Sequence, residues 1–140
     1  MKKYCIVILL SLISSLIYAQ IEVDAYVNKT KIGIQDTFEY VLEISGESGS
    51  NFKFDFPEFE NFRNYGVSTS SSTSVSIVNG KMDRKTTTTY KATMRALKTG
   101  KLVIPPVSLK LKGKQYTTKA ITMDVVDGSL AQVPPSAKQN

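Results

Sequence analysis

Apolar and polar residues alternate with a period of two along most of this chain, and that alternation predicts strands. Ile21, Val23, Ala25 and Val27 alternate with Glu22, Asp24 and Tyr26, as happens when one face of a strand packs inward and the other meets water. Asn28-Lys29-Thr30 reads as a turn. Phe38, Tyr40, Leu42 and Ile44 then alternate with Thr37, Glu39, Val41 and Glu43. This second strand is expected to stop at Ser45-Gly46-Glu47-Ser48-Gly49-Ser50, whose small polar residues and glycines suit a flexible loop.

Residues 51–64 break the pattern. Phe52, Phe54, Phe56, Phe59 and Phe62 are five of the six phenylalanines, and Pro57 sits among them. Proline lacks a ladder donor and fixes φ, so a continuous central strand is not expected. A short edge strand ending near Pro57, followed by an irregular connection packed by aromatic rings, fits better. These rings are expected to seal one end of the core, with Phe56, Pro57 and Phe59 as candidates for an exposed docking site.

Asn79-Gly80 is the clearest local signal, because both residues tolerate the positive φ that a two-residue type I′ hairpin turn demands. Folding about that turn sets Val78 against Lys81, Ile77 against Met82 and Val75 against Arg84. The same register sets Thr69 against Tyr90, Val67 against Ala92 and Tyr65 against Met94. The base of this hairpin is expected to enter the core, so that Val67→Asp would bury a charge. Ser70 to Ser74 faces Lys85 to Thr89 with almost nothing apolar on either side. Such a ribbon keeps β-propensity through its threonines but adds little hydrophobic burial. It either projects as a β-arm or lies flat with both faces partly wet, and Ser70, Ser72, Ser74, Arg84, Lys85 and Thr87 are candidate contact residues.

Lys98-Thr99-Gly100-Lys101 turns the chain into Leu102-Val103-Ile104, and Pro105-Pro106 breaks the ladder. Val107, Leu109 and Leu111 resume the alternation, and Lys112-Gly113-Lys114 forms another turn. Gln115 to Val126 reads as one last strand with Ile121, Met123 and Val125 inward. No window supports a long amphipathic helix. About seven strands at this spacing predict an all-β, immunoglobulin-like β-sandwich over residues 20–127, without a cysteine staple. Residues 128–140, with Pro134-Pro135 and a polar end, read as a linker or truncated C-terminal tail that leads on into a longer protein.

The N-terminus changes the picture of where the domain works. Lys2-Lys3, an apolar run from Cys5 to Ile17 and a small residue at Ala19 form the pattern of a secretory signal peptide over residues 1–19. Its apolar part is about fifteen residues, short of the roughly 20 that span a bilayer. Cys5 lies too early for lipidation. Cleavage after Ala19 leaves 121 of 140 residues, enough for one domain that buries roughly two-thirds of its extended surface. It also removes the only cysteine, and the chain has no histidine. No disulfide, thiol nucleophile, imidazole base or thiolate ligand then remains, and no cofactor is expected.

The remaining chemistry is sparse. Glu39 with Glu43 and Glu58 with Glu60 are carboxylate pairs without evident burial. The serines of residues 68–76 lack a Gly-x-Ser-x-Gly or Ser-x-x-Lys setting, and Asp124 with Asp127 lacks calcium-loop spacing. Catalysis is therefore not expected. Formal charge is +6 but unevenly spread. Residues 20–60 hold nine acidic groups against three lysines, and residues 61–140 hold thirteen basic groups against Asp83, Asp124 and Asp127. That asymmetry predicts a dipolar surface able to orient a partner, unless the sheets interleave the two halves. Export and the lack of any RNA- or DNA-binding motif argue against nucleic acid despite a pI near 9.4.

Taken in order, the segments resemble a known family. FDFPEFENF at Phe54 to Phe62, the Ser-rich strand up to Val78-Asn79-Gly80, Thr89-Tyr90-Lys91-Ala92 and Gly100-Lys101-Leu102-Val103-Ile104-Pro105-Pro106-Val107 are similar to the N-terminal region of the BatD, or oxygen-tolerance, family. So are Gly113 to Thr118 and Ile121-Thr122-Met123-Asp124-Val125. The resemblance implies a bacterial protein at the periplasmic face of the inner membrane, with tandem immunoglobulin-like domains and attachment through a later C-terminal helix. It also implies partners among von Willebrand-type and TPR membrane proteins and a MoxR-type ATPase, and no catalytic residues. The expected role is thus a non-catalytic protein-interaction domain of an envelope stress assembly, soluble as this fragment. A structural spacer and a carbohydrate- or surface-binding module are the alternatives, the latter weakened by the absence of Trp. Exposed sheet edges also permit strand addition, though the sequence does not say which edge is open.

Overall fold

The alternation is realised as strands throughout the computed structural model, which describes residues 20–47 and 52–131. The expected leader at residues 1–19, Ser48 to Ser50 of the expected loop, and residues 132–140 of the expected tail lie outside the described residues. Nine strands occur among the described residues: β1 (Glu22–Val27), β2 (Lys31–Gly33), β3 (Thr37–Glu47), β4 (Phe62–Val78), β5 (Lys81–Ala96), β6 (Gly100–Ile104), β7 (Ser108–Leu111), β8 (Lys114–Thr117) and β9 (Ile121–Val126). An antiparallel sheet runs β1-β3-β5-β4, a second runs β2-β9-β6, and β7-β8 form a separate pair. The architecture is an all-β sandwich, as the alternation predicts.

Inward residues of β3 (Phe38, Tyr40, Leu42, Ile44) and β5 (Tyr90, Ala92, Met94, Ala96) form one cluster with Ile32, Leu102, Ile104, Leu109, Leu111, Met123 and Val125. Burying each large aliphatic or aromatic side chain contributes about 1.5–3 kcal/mol. The phenylalanine segment covers the same cluster, with edge-to-face contacts Tyr40–Phe56, Tyr40–Phe59, Phe54–Tyr90 and Phe38–Phe62, each at 5.6 Å between centroids. Residues 52–59 contain no strand, so the short edge strand expected before Pro57 does not form. Ring packing replaces ladder bonding there, and Tyr90 secures it by donating its hydroxyl to the Phe52 carbonyl at 2.6 Å.

Three other expectations change. β3 does not stop at Ser45, since Gly46 pairs with Thr86 and Glu47 with Lys85. Gly46 is useful there: a Cβ would sit 3.2 Å from the Phe52 ring. The single last strand is two strands, because Thr118 turns inward, accepts from Val107 N–H through its hydroxyl and donates its own N–H to the Val107 carbonyl, both at 2.9 Å. That clamp lets the chain leave the β7-β8 pair and enter the β9 ladder. β2 pairs in parallel with β9 and has no counterpart in the sequence reading, because three residues with one apolar member cannot display a period.

The Asn79-Gly80 turn forms with φ of 52° and 76°, and its register follows the expected pairs up to Val67 opposite Ala92. Beyond that, a bulge between Asn64 and Gly66 sets Asn64, not Tyr65, against Met94. The bulge accompanies an exposed β4: past Phe62 every residue of the strand is exposed. Val67 is 40 % exposed, so the hairpin base does not enter the core through β4, and an aspartate at 67 would stay in contact with water.

The first residues of the expected tail are held by one side chain. Asp36, only 8 % exposed, accepts from Gly33 N–H at 2.9 Å, from Leu130 N–H at 2.7 Å and from the Ser129 hydroxyl. The Ser129 hydroxyl first, then the Leu130 amide, hold its carboxyl down to about 2 from an ordinary 3.8, against the opposing effect of burial. A depressed folded pKa stabilises above the ordinary value and is lost as pH falls through the folded one. The Leu130 amide is therefore expected to lose hydrogen-exchange protection as pH drops from about 4 toward about 2, and Asp36→Asn to lower that protection at pH 7 and abolish its pH dependence.

Tyr40 carries the opposite problem. Its hydroxyl is buried without a hydrogen-bond partner among the described residues, and burial raises its pKa, with the Thr118 hydroxyl a lesser, opposing influence. Removing an unpaired buried hydroxyl while keeping the ring is neutral or stabilising. Tyr40→Phe is expected to leave the thermal midpoint unchanged or raised, by up to about 1 kcal/mol in stability, whereas Tyr40→Ala should cost about 3–5 kcal/mol.

Candidate interaction surface

The β4-β5 hairpin outgrows the sheet that carries it. β3 ends opposite Lys85, at the Glu47 pair, so among the described residues the four pairs from Val75–Arg84 to Val78–Lys81 have no third strand beside them. Four apolar side chains stand out on this tip: Val75 at 53 %, Ile77 at 68 %, Val78 at 64 % and Met82 at 60 % exposed. Directly opposed residues of an antiparallel pair share a face, which groups Val75, Ile77, Met82 and Arg84 on one side and Val78, Lys81 and Asp83 on the other. The tip is thus apolar with a cationic fringe.

Below the tip, hydroxyls bridge the strands. Ser71 meets Thr88 at 3.2 Å and Thr73 meets Thr86 at 3.1 Å on the core-side face, while the Ser74 hydroxyl donates to the Lys85 carbonyl at 3.4 Å. Thr87 meets Ser45 of β3 at 2.8 Å. The polar ribbon is therefore both flat against β3 and, past Lys85, a projecting arm.

The candidate residues fall into separate groups. Ser70, Ser72 and Ser74 are exposed on the outer face opposite Thr89, Thr87 and Lys85. Arg84 lies on the other face beside Val75. Phe59 is turned into the core at 5 % exposure, Phe56 is partly buried against Tyr40, and Pro57 is half-buried. Pro57 and Phe59 line an open cleft of about 210 Å³ with Pro105 and Pro106. Among the described residues, no hydrogen bond, ion pair or ring contact joins Phe56, Pro57 or Phe59 to the ribbon candidates as one site. The apolar tip is absent from the sequence-derived candidates, because Val75, Ile77, Val78 and Met82 enter there only as register pairs of the turn; their nearness to Asn79-Gly80 is the available signal.

Electrostatics are more mixed than the sequence halves imply. Lys85 pairs with Glu22 at 3.2 Å and Lys91 approaches Glu39 at 3.7 Å, so the sheet interleaves acidic β1 and β3 with basic β5. Glu43 accepts from the Tyr26 hydroxyl at 3.0 Å. Glu58 and Glu60 line an open groove of about 520 Å³ with Arg63 and Leu97. Among the described residues, no group of three or more Asp, Glu, His or Cys side chains is placed to hold a metal, and no helix is long and apolar enough to cross a membrane.

A sandwich with this hairpin, turn order and strand spacing has a match among protein families: the model of the BatD DUF11-like domain aligns with residues 25–125. No curated protein and no solved structure matches the chain. The aligned stretch runs from β1 to β9 and includes the hairpin. The chain belongs to the BatD family, a membership that points to an aerotolerance-type system.

Proposed function

We propose that this domain is a non-catalytic protein-interaction module of an envelope stress or oxygen-tolerance assembly, and that it engages its partner with the tip of the β4-β5 hairpin. The observation that carries this reading is the group of exposed apolar side chains, Val75, Ile77, Val78 and Met82, beyond the end of β3. Interfaces centre on apolar anchors ringed by polar groups, and Lys81, Arg84 and the hydroxyl ladder supply that ring. The non-catalytic part rests on sequence: no histidine, and a cysteine only at position 5. Export by residues 1–19, a place at the periplasmic face of the inner membrane, and partners among von Willebrand-type and TPR membrane proteins complete the proposal.

A photo-crosslinking residue at Ile77, carried by the protein in its native envelope, is expected to capture a von Willebrand-type or TPR protein. The same residue at Lys112, in the β7-β8 turn, is expected not to. Ile77→Asp with Met82→Asp should reduce partner recovery at least about tenfold, equivalent to about 1.4 kcal/mol. Because both sites are exposed, the unfolding midpoint should move by less than about 0.5 kcal/mol per substitution. Unchanged recovery would remove the tip as the contact, and capture of no protein from Ile77 would favour the spacer reading.

A further inference from the structure

The two edges of the four-stranded sheet are unequally protected. β1 places Glu22 and Asp24 along its edge, charges of the kind that discourage strand addition. At the other edge, β4 is exposed along its length past Phe62, and no charged residue or proline occurs from Asn64 to Gly80. A long edge strand without charge, proline or cover is unusual in a stable monomer.

Register shows which backbone groups this edge offers. The i to i+3 hydrogen bond of a type I′ turn makes Val78 and Lys81 a hydrogen-bonded pair. Such pairs alternate along an antiparallel ladder. Ser76, Ser74, Ser72, Ser70 and Ser68 therefore spend their backbone groups on β5. Val67, Thr69, Ser71, Thr73, Val75 and Ile77 direct their N–H and C=O outward.

The residues of this edge read the same in both directions: Val67-Ser68-Thr69-Ser70-Ser71-Ser72-Thr73-Ser74-Val75 is a nine-residue palindrome centred on Ser71. Two identical antiparallel strands related by a two-fold axis at Ser71 pair Ser71 with itself, Thr69 with Thr73 and Val67 with Val75. All of these residues have outward backbone groups. Five pairs, each able to exchange two hydrogen bonds, would match without a bulge. The side chains match as well, valine on valine, threonine on threonine and serine on serine, pairings that stabilise antiparallel ladders. No like charges oppose each other within the paired stretch.

We infer that the occupant of the β4 edge is a second copy of this chain, joined by antiparallel β4-β4 pairing about Ser71. The result is a continuous eight-stranded sheet, β1-β3-β5-β4 followed by its mirror order in the partner. This goes beyond the partner-binding reading: the matched stretch stops at Val75, and although the same register sets Ile77 opposite Tyr65 of the second copy, Met82 and Lys81 lie on β5, outside the pairing.

Disulfide trapping tests the register. In the full chain with Cys5→Ser, Ser71→Cys is expected to give a covalent dimer under mild oxidation, since hydrogen-bonded partners sit about 5.5 Å apart at Cα, within disulfide range. Val67→Cys alone should fail, its two copies lying about 27 Å apart along the strands, whereas a mixture of Val67→Cys and Val75→Cys chains should cross-link. Ser71→Pro removes only an outward N–H, so the monomer should fold with an unchanged circular dichroism spectrum. It should weaken self-association in sedimentation at least tenfold; Ser71→Lys serves the same purpose if proline perturbs folding. Monomeric mass at every concentration, or cross-linking of Val67→Cys alone as efficient as that of Ser71→Cys, would overturn the inference. A monomer still captured by a partner through Ile77 would overturn it too, while leaving the partner reading intact. A dimer that captures nothing would uphold it and remove that reading instead.

Discussion

The pairing of β3 with β5 is the constraint on which the rest of the molecule depends. Its register runs from Thr37 opposite Arg95 to Glu47 opposite Lys85 without a break. It aligns Phe38, Tyr40, Leu42 and Ile44 with Met94, Ala92, Tyr90 and Thr88 on one face. A slip of one residue would put the two sets on opposite faces and turn one of them to water. The phenylalanine segment also needs this register, because Tyr40 and Tyr90 are the rings against which Phe56, Phe59 and Phe54 pack. The core therefore ends where β3 runs out of large side chains, at Ile44. From Ser45 on, the same two strands carry a hydroxyl-bonded ribbon with little apolar cover.

That change along a single ladder explains why the hairpin is both regularly paired and unburied. β5 is two strands in one: Thr88 to Ala96 belongs to the core, and Lys81 to Lys85 belongs to solvent. Its partner β4 contributes only Phe62 to the interior. Backbone hydrogen bonds and threonine-rich β-propensity hold β4 in place, since hydrophobic burial cannot. A protein has little structural reason to build sixteen exposed strand residues unless their edge or their tip meets something else.

How much of this was legible in the sequence depended on whether the signal was local. The I′ turn at Asn79-Gly80 and the register it imposes were readable, because φ requirements and two-residue loops act over four residues. The alternation of β1, β3, β6 and β7 was readable for the same reason. What failed was decided at a distance. Gly46 continues a strand because β5 is long enough to pair with it and Phe52 needs the space. Thr118 splits the last strand because Val107 is its partner eleven residues away. Asp36 looks like an ordinary turn carboxylate until Ser129 and Leu130 close on it. The candidate site was half legible: the serine ribbon was identified, but the exposure of Val67, Val75, Ile77 and Met82 depends on which strands lie beside them, and alternation alone does not carry that.

The palindrome at residues 67–75 bears on how edge and tip divide their work. Low-complexity Ser/Thr runs keep a strand soluble, and composition alone would allow the two valines anywhere in the run. Placed at both ends, equidistant from Ser71 and among the residues whose backbone groups point outward, they become partners of each other under a two-fold axis, whereas within one chain Val67 stands opposite Ala92 and Val75 opposite Arg84. Isologous pairing rewards this placement, because each residue must suit its symmetry mate as well as its own neighbours. A heterologous partner strand would impose no such symmetry. The tip has no symmetric pattern, is apolar where the edge is polar, and carries Lys81 and Arg84 where the edge carries no charge. Two surfaces with such different chemistry on one hairpin are suited to two different contacts: the uncharged edge to an identical strand and the apolar, cationic tip to a different protein.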